Sequence, residues 1–266
     1  MTALPRPRPL AVAFDEIADR LKDSAPILLG LDFDGTLTPL RDRPDAVELD
    51  ESTRAILAGL ASNPRVVVMI VSGRSIADVS ARVGLSDLAI AGNHGLEIEG
   101  KGLSFIEPAA LSSSNRLGEL AAVLQTRLAH IFGVLVERKG LTLGIHYRNV
   151  ALNHWDEVSR VVREAAESEP TLFVLRSGKL VWEIRPAVDW HKGRAILWTL
   201  DRLNLSNPLI FYFGDDLTDE DAFGFLPQSY TVKVGDPSSP TLARYFVEDP
   251  TAVREFLARL STQISF

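Results

Sequence analysis

Cysteine is missing from this chain altogether. Disulfides, thiolate zinc sites and cysteine nucleophiles are therefore excluded. A basic surplus is missing too: the formal net charge is −7 and the sequence pI is about 5.3. Nucleic acid or an anionic membrane surface is thus not the expected partner, because both favour basic patches. An acidic total leaves an anionic substrate open, since a metal and a few local cations can invert the sign of a site. No apolar run approaches membrane-spanning length. The Pro- and Arg-bearing start, Met1 to Pro9, leads into Leu10–Phe14, which is too short for a signal-peptide core. Cytoplasmic residence is the expectation. Neither Gly100-Lys101 nor Gly178-Lys179 is followed by Ser or Thr, so there is no Walker loop. A nucleophile-elbow serine, a His-Glu-x-x-His pair and a dinucleotide glycine fingerprint are likewise absent, as is any fixed-period repeat.

What is present is an ordinary globular composition, 46% hydrophobic and 24% charged over 266 residues, enough for one large or two modest domains. The apolar run Ile27-Leu28-Leu29-Gly30 reads as a buried parallel strand and runs straight into Leu31-Asp32-Phe33-Asp34-Gly35-Thr36. Ligand sites of open α/β sheets lie at the carboxyl ends of strands. Two carboxylates buried there with no partner would be costly, so a cation is expected beside them. Asp and Gly also serve as plain turn residues, and a single Asp-Gly would say no more than that.

Strand and helix patterns then alternate. Asp50 to Leu60 reads as a helix capped by Asp50, and Arg65 to Val71 as a β-branched strand ending at Ser72-Gly73-Arg74. A helix with Ile76, Val79 and Val83 on one face follows, then a strand Leu88–Gly92 ending in Asn93-His94-Gly95. This is a doubly wound parallel α/β pattern. The style changes near Pro108: an amphipathic helix over Asn115–Phe132, a hairpin Val134–Lys139 with Leu141–Arg148, a helix bearing Trp155, Val158 and Val162, and a hairpin Thr171–Arg176 with Leu180–Arg185 turning at Ser177-Gly178-Lys179. The expected architecture is an α/β core formed by residues 1–107 and 188–266, with an inserted α+β domain at 108–187 carrying two helices on one face of an antiparallel sheet. Leu209–Phe213 resumes the parallel sheet.

Four strand or helix junctions of the core carry polar residues. Beside Asp32–Thr36 and Ser72–Arg74 stand Lys192-Gly193 at a helix start and Gly214-Asp215-Asp216-Leu217-Thr218-Asp219-Glu220-Asp221 after an apolar strand. Ser72 and free N–H groups at a helix start suit a phosphate, although capping alone would also explain them. Helix capping accounts for one or two acids after Gly214, hardly for five. Mg²⁺ is the natural counterion, held by one or two carboxylates plus substrate phosphate and waters. Period-2 alternation puts Val134, Val136, Leu141, Leu143, Ile145, Tyr147, Leu180, Trp182 and Ile184 on one face of the inserted sheet. The other face takes Glu137, Lys139, Thr142, His146, Arg148, Val181, Glu183 and Arg185: a solvated surface, or a set of donors and acceptors that reads a sugar.

In order and spacing, the four polar stretches resemble the motifs of the haloacid dehalogenase superfamily of phosphotransferases. The Gly-Asp-Asp-x-Thr-Asp-Glu form, Gly92-Asn93-His94-Gly95, Glu137-Arg138-Lys139-Gly140, His146-Tyr147-Arg148 and Trp182-Glu183-Ile184-Arg185-Pro186 are similar to those of its trehalose-6-phosphate phosphatases. The likeness runs over roughly residues 27–235; serine is common in that family where Asn93 stands. It implies a Rossmann-like core with a substrate-specificity cap that closes on the sugar. It implies Asp32 as nucleophile, Asp34 as general acid and then base, and Thr36, Ser72, Gly73 and Lys192 around the phosphoryl group. Asp32, Asp34 through its carbonyl, and Asp215 would bind Mg²⁺, with Asp216 and Asp219 close by. Glu137, Lys139 and Glu183 would contact the sugar, with Arg74, His94 and Arg148 as further candidates; His146, Arg148 and Arg185 could instead stabilise the sheet. The expected activity is hydrolysis of trehalose 6-phosphate by a monomer that binds a small sugar phosphate. The rivals are a phosphatase for sucrose phosphate or a glycosyl-glycerate phosphate, and a catalytically silent sugar-phosphate-binding domain.

Overall fold

A computed structural model describes residues 6–23, 25–41, 47–226 and 228–264. The first five residues of the proline-rich start lie outside this set. Two compact units result: one comprises Met1–Phe105 with Trp190–Phe266, the other Ile106–Asp189.

In the first unit the elements run β1 (Arg8–Pro9), α1 (Phe14–Leu21), β2 (Ile27–Leu31), α2 (Glu51–Ala61), β3 (Val66–Val71), α3 (Ile76–Val83), β4 (Ala89–Gly92), β5 (Glu97–Gly100) and β6 (Leu103–Ile106). The second unit follows with α4 (Pro108–Leu128), β7 (Leu135–Arg138), β8 (Leu143–His146), α5 (Trp155–Glu167), β9 (Phe173–Gly178) and β10 (Val181–Pro186). The chain returns to the first unit as α6 (Lys192–Arg202), β11 (Leu209–Gly214), α7 (Leu217–Phe225), β12 (Tyr230–Val234), β13 (Tyr245–Val247) and α8 (Pro250–Ile264).

Strands of the first unit form one sheet in the order β1-β13-β12-β11-β2-β3-β4-β5-β6. It is parallel from β1 through β4, and β5 joins antiparallel. The continuous apolar runs of β2 and β3 are buried along their whole length, as strands covered on both faces must be. Ile27, Leu29 and Leu31 face a core shared with α1, α2, α3 and α8. Leu28 faces the opposite core with Ile196 of α6 and Phe223 of α7. This is the expected doubly wound architecture. Because β2 and β11 are adjacent, with Leu31 beside Phe213, the residues that follow each strand emerge side by side.

The second unit is an antiparallel sheet, β7-β8-β10-β9, with α4 and α5 on one face. Its core joins Leu117, Leu120 and Leu124 to Val158, Val161 and Val162 and to Leu143, Ile145 and Ile184.

Several boundaries differ from the sequence reading. Helix α4 begins at Pro108, not Asn115, because the Glu107 side chain accepts from the Ala110 N–H at 2.6 Å and Pro occupies the first turn. The run Ser112-Ser113-Ser114 resembles a loop but satisfies its hydroxyls on carbonyls of the same helix. The second hairpin turns at Lys179-Leu180, with Leu180 at φ +63°, so Leu180 leaves the apolar face. Thr142 was expected on the open face of the cap sheet and is fully buried instead. It lies in the turn before β8, where its carbonyl accepts from the Lys139 N–H at 3.0 Å. The β5–β6 extension, β12, β13 and α8 were not anticipated.

Candidate active site

Asp32 follows β2 directly and is pinned by its own N–H, which donates to the Phe213 carbonyl at 3.0 Å. The chain then doubles back: Gly35 N–H donates to the Thr38 carbonyl at 2.8 Å, and Thr38 Oγ1 donates to the Phe33 carbonyl at 3.0 Å. Gly35 has φ +89°, and a Cβ there would collide with the Asp215 carboxylate. Glycine thus lets the first acidic loop meet the last one.

Lys192, the first residue of α6, sends its buried ammonium to Asp32 Oδ1 and to Asp219 Oδ1, each at 2.7 Å. Only about 3% of its side chain is exposed, and none of Asp219's. Burial alone would lower the lysine pKa, but Asp219 and Asp32 outweigh it and hold the ammonium above its ordinary range. Gly193 keeps this helix start close to α7: a Cβ there would sit 2.9 Å from that of Phe225. Asp219 also accepts from Tyr212 Oη at 2.6 Å and from the Asp216 N–H at 3.0 Å, so both of its oxygens are engaged. Asp216 is exposed and caps α7 in a reciprocal box with Asp219.

Burial raises the Asp32 pKa most, helped by Asp219 and Asp215, while Lys192 works in the opposite direction. Asp215 is pushed up to about 7, first by burial and then by Asp219 and Asp216. Its Oδ1 is buried and finds no hydrogen-bond partner among the described residues. The carboxylates of Asp32, Asp215 and Asp219 offer oxygens within 4.8 Å of one another. An all-oxygen set with excess negative charge and an orphaned acceptor fits a hard divalent cation. Asp32 and Asp215 would hold it, because Asp219 is committed to Lys192 and Tyr212.

Asp34 is turned to one side. Arg74 grips it with Nε on Oδ2 and Nη2 on Oδ1, both at 2.7 Å, and places Nη1 on Asp78 at 2.6 Å. Asp34 and Asp78 outweigh the burial of Arg74 and raise its pKa. Thr36 Oγ1 is buried with no hydrogen-bond partner among the described residues, and Ser72 is 1% exposed. The Ser72 hydroxyl accepts from the Arg74 N–H at 3.1 Å, and its carbonyl accepts from the His94 N–H at 2.8 Å. The His94 ring lies over Gly73, where a Cβ would come within 2.5 Å of it. Asn93 and His94 take left-handed conformations, φ 47° and 61°, which asparagine tolerates better than most residues. The Asn93 amide donates to Glu97 Oε1 at 2.6 Å, and the same oxygen caps α3 at the Ile76 N–H.

The sequence-derived candidates therefore separate into groups. Within the first unit Asp32, Lys192, Asp215 and Asp219 converge; Asp34 and Arg74 form a pair; Ser72, Gly73 and His94 are neighbours. Within the second unit Lys139 Nζ donates to Glu183 Oε1 at 2.9 Å, and Arg185 grips the other oxygen of Glu183. His146 shares a 2.8 Å hydrogen bond with Glu137. Arg148 lies two residues beyond β8 and is exposed. Tyr212, Asp78 and Lys233, whose ammonium donates to the Asp215 carbonyl, were not anticipated. Tyr212 carried a signal: a tyrosine inside a buried apolar run must find a partner for its hydroxyl.

The trehalose-phosphatase family model matches residues 30–251. A trehalose-phosphate phosphatase of Mycobacterium marinum is 39% identical over 242 residues, covering 88% of this chain and 61% of that protein. Trehalose-phosphate phosphatase B of Arabidopsis thaliana is 34% identical over 263 residues, covering 93% of this chain and 69% of that protein. The chain spans 61–64% of the length of its mycobacterial relatives. Among solved structures, the C-terminal domain of the Candida albicans trehalose-6-phosphate phosphatase superposes with a TM-score of 0.79 at 24% identity, over 98% of this chain and 99% of that one. The motifs, the sheet order and these likenesses agree: the chain belongs to the trehalose-phosphatase family.

Proposed function

We propose that this chain is a Mg²⁺-dependent phosphomonoesterase that hydrolyses trehalose 6-phosphate to trehalose and inorganic phosphate. The observation that carries the reading is the buried Lys192 ammonium bridging Asp32 and Asp219, beside an Asp215 oxygen that has no partner among the described residues.

Asp32 is the nucleophile. One of its carboxylate oxygens forms a bond to phosphorus as the bond from phosphorus to the sugar oxygen breaks, leaving an aspartyl-phosphate. Asp34 gives its proton to the departing sugar oxygen. It then takes a proton from the water that attacks phosphorus and releases Asp32, so the carboxyl ends as it began. Lys192, the Thr36 and Ser72 hydroxyls and the Gly73 N–H face the phosphoryl oxygens, where charge develops. Asp32, Asp215 and the Asp34 carbonyl would hold Mg²⁺, whose charge would relieve the repulsion between carboxylate and phosphate dianion. The sugar contacts are assigned to Glu137, Lys139 and Glu183, whose donors and acceptors share the polar side of the second unit's sheet.

Phosphate release from a panel of sugar phosphates, with Mg²⁺ or with chelator, tests the reading. Trehalose 6-phosphate should give the highest kcat/KM, and chelation should abolish turnover. Asp32→Asn should lower kcat by about three orders of magnitude or more, while Glu137→Ala and Glu183→Ala should act on the disaccharide phosphate more than on small phosphates. Near-wild-type turnover by Asp32→Asn, or a preference for sucrose phosphate, would overturn it.

A further inference from the structure

Tyr212 is the least expected member of the buried cluster. Its ring is fully buried in the middle of β11, packed edge-on against Phe223 with centroids 5.8 Å apart. Its hydroxyl reaches Asp219 Oδ1 at 2.6 Å, the same oxygen that takes the Lys192 ammonium at 2.7 Å. Two glycines make room for this arrangement. On the neighbouring strand, a Cβ at Gly30 would lie 2.7 Å from Tyr212 Cδ2 and 3.2 Å from Ile196 Cδ1. At the end of β11, a Cβ at Gly214 would run into the Asp219 carboxyl. Glycine inside a buried strand costs chain entropy and packs nothing, so its use beside Tyr212 and again beside Asp219 calls for a reason. The close approach of ring and carboxyl supplies one.

We propose that Tyr212 is a positioning residue for phosphoryl transfer: its hydroxyl orients Asp219, and Asp219 in turn holds the Lys192 ammonium where the phosphoryl oxygens are met. Lys192 has a long flexible stem, and an ammonium is a point charge with no built-in direction. A single carboxylate oxygen shared with a fixed phenol restricts it to one place. Asp219 is kept in line by the Asp216 N–H on its other oxygen. Tyr212 touches no reacting atom, so its effect is on preorganisation and belongs to kcat. The inference rests on the phosphatase reading above.

The test compares Tyr212→Phe with the wild-type enzyme and with Tyr230→Phe, all loaded with Mg²⁺. Tyr230 is a buried tyrosine of β12 whose hydroxyl donates to Glu16, remote from the acidic cluster, and it controls for loss of a buried hydroxyl. Tyr212→Phe should lower kcat roughly tenfold with KM for the sugar phosphate little changed, as expected when an interaction made only in the transition state is loosened. Its inhibition by orthovanadate, an oxyanion that occupies the phosphoryl position, should weaken by a similar factor. Tyr230→Phe should keep both values. Gly30→Ala should also lower kcat, by pressing on the ring, yet add little in the Tyr212→Phe background, where no hydroxyl remains to be misplaced. Wild-type kcat and vanadate affinity in Tyr212→Phe, or strictly additive losses in the double variant, would overturn the proposal. A wild-type protein that releases phosphate from no phosphomonoester would instead sink the phosphatase reading itself.

Discussion

At the scale of single residues, the two aspartates of the first motif have been given different neighbours. Asp32 is buried and shares Lys192 with Asp219; Asp34, two residues on, is partly exposed and lies in the fork of Arg74. Two carboxylates separated by one residue in the sequence thus have wholly different partners in the structure. Arg74 was expected among the sugar ligands; the structure places its guanidinium on Asp34 and Asp78. Such a bidentate pair holds a carboxylate in one orientation. Arg74→Gln should therefore slow hydrolysis of a sugar phosphate about tenfold, because an alkoxide leaving group needs a well-aimed acid. Hydrolysis of p-nitrophenyl phosphate, whose phenolate leaves without help, should fall far less. Equal losses on the two substrates would show that Arg74 serves the phosphoryl group instead.

Among the elements, helix starts do most of the placing. Lys192 opens α6, Asp216 caps α7 and Ser75 caps α3, so each polar loop is the front end of a helix that packs on the sheet. Helix α2 shows what such a cap contributes where no chemistry is at stake. Asp50 accepts from the Thr53 N–H at 2.9 Å and from the hydroxyls of Ser52 and Thr53. Burial works to raise its pKa, but those hydrogen bonds and Arg254 bring it down to about 2. The sign follows: a carboxyl whose folded pKa is depressed contributes stability above its unfolded value, near 4, and loses it as pH falls toward 2. Asp50→Ala should cost about 1 kcal/mol at pH 7, and the difference from wild type in urea denaturation should shrink between about pH 4 and pH 2. A difference that persists at pH 2 would mean that the cap acts through shape and not charge. The same element scale explains the misplaced start of α4. Three consecutive serines carry a loop signature, and only the Glu107 cap and the Leu117–Leu124 face commit them to the helix.

On the scale of the whole molecule, the chain builds its cores separately. The leucines and valines of α4 and α5 enclose their own sheet, while the long sheet has a core on each face. Units with separate cores need not unfold together. Calorimetry should resolve two transitions. Mg²⁺ should raise only the one belonging to the acid cluster, since a ligand stabilises the unit that binds it. Leu124→Ala, deep in the other core, should lower only the second, by about 2–5 kcal/mol. A single transition that responds to both changes would show that the two cores melt as one. Among the described residues no helix is long and apolar enough to cross a membrane.

The doubly wound sheet could be read from the primary structure because its strands are continuous apolar runs bounded by Gly-, Ser- and Asp-rich turns, a local pattern tied directly to burial on both faces. The place of the first acidic loop was legible for a related reason: a buried strand that ends in carboxylates must meet a cation, and Asp32 meets the Lys192 ammonium. Tertiary structure alone decided how charge is shared. Lys192 meets Asp32 across 160 positions of sequence and Asp219 across 27. Arg74 meets Asp34 across 40, and Tyr212 donates to the acid that steadies the lysine. Those pairings depend on strand order and on the clearance left by Gly30, Gly35 and Gly214. No periodicity in the chain encodes them, because they are distances between elements rather than properties of any one element.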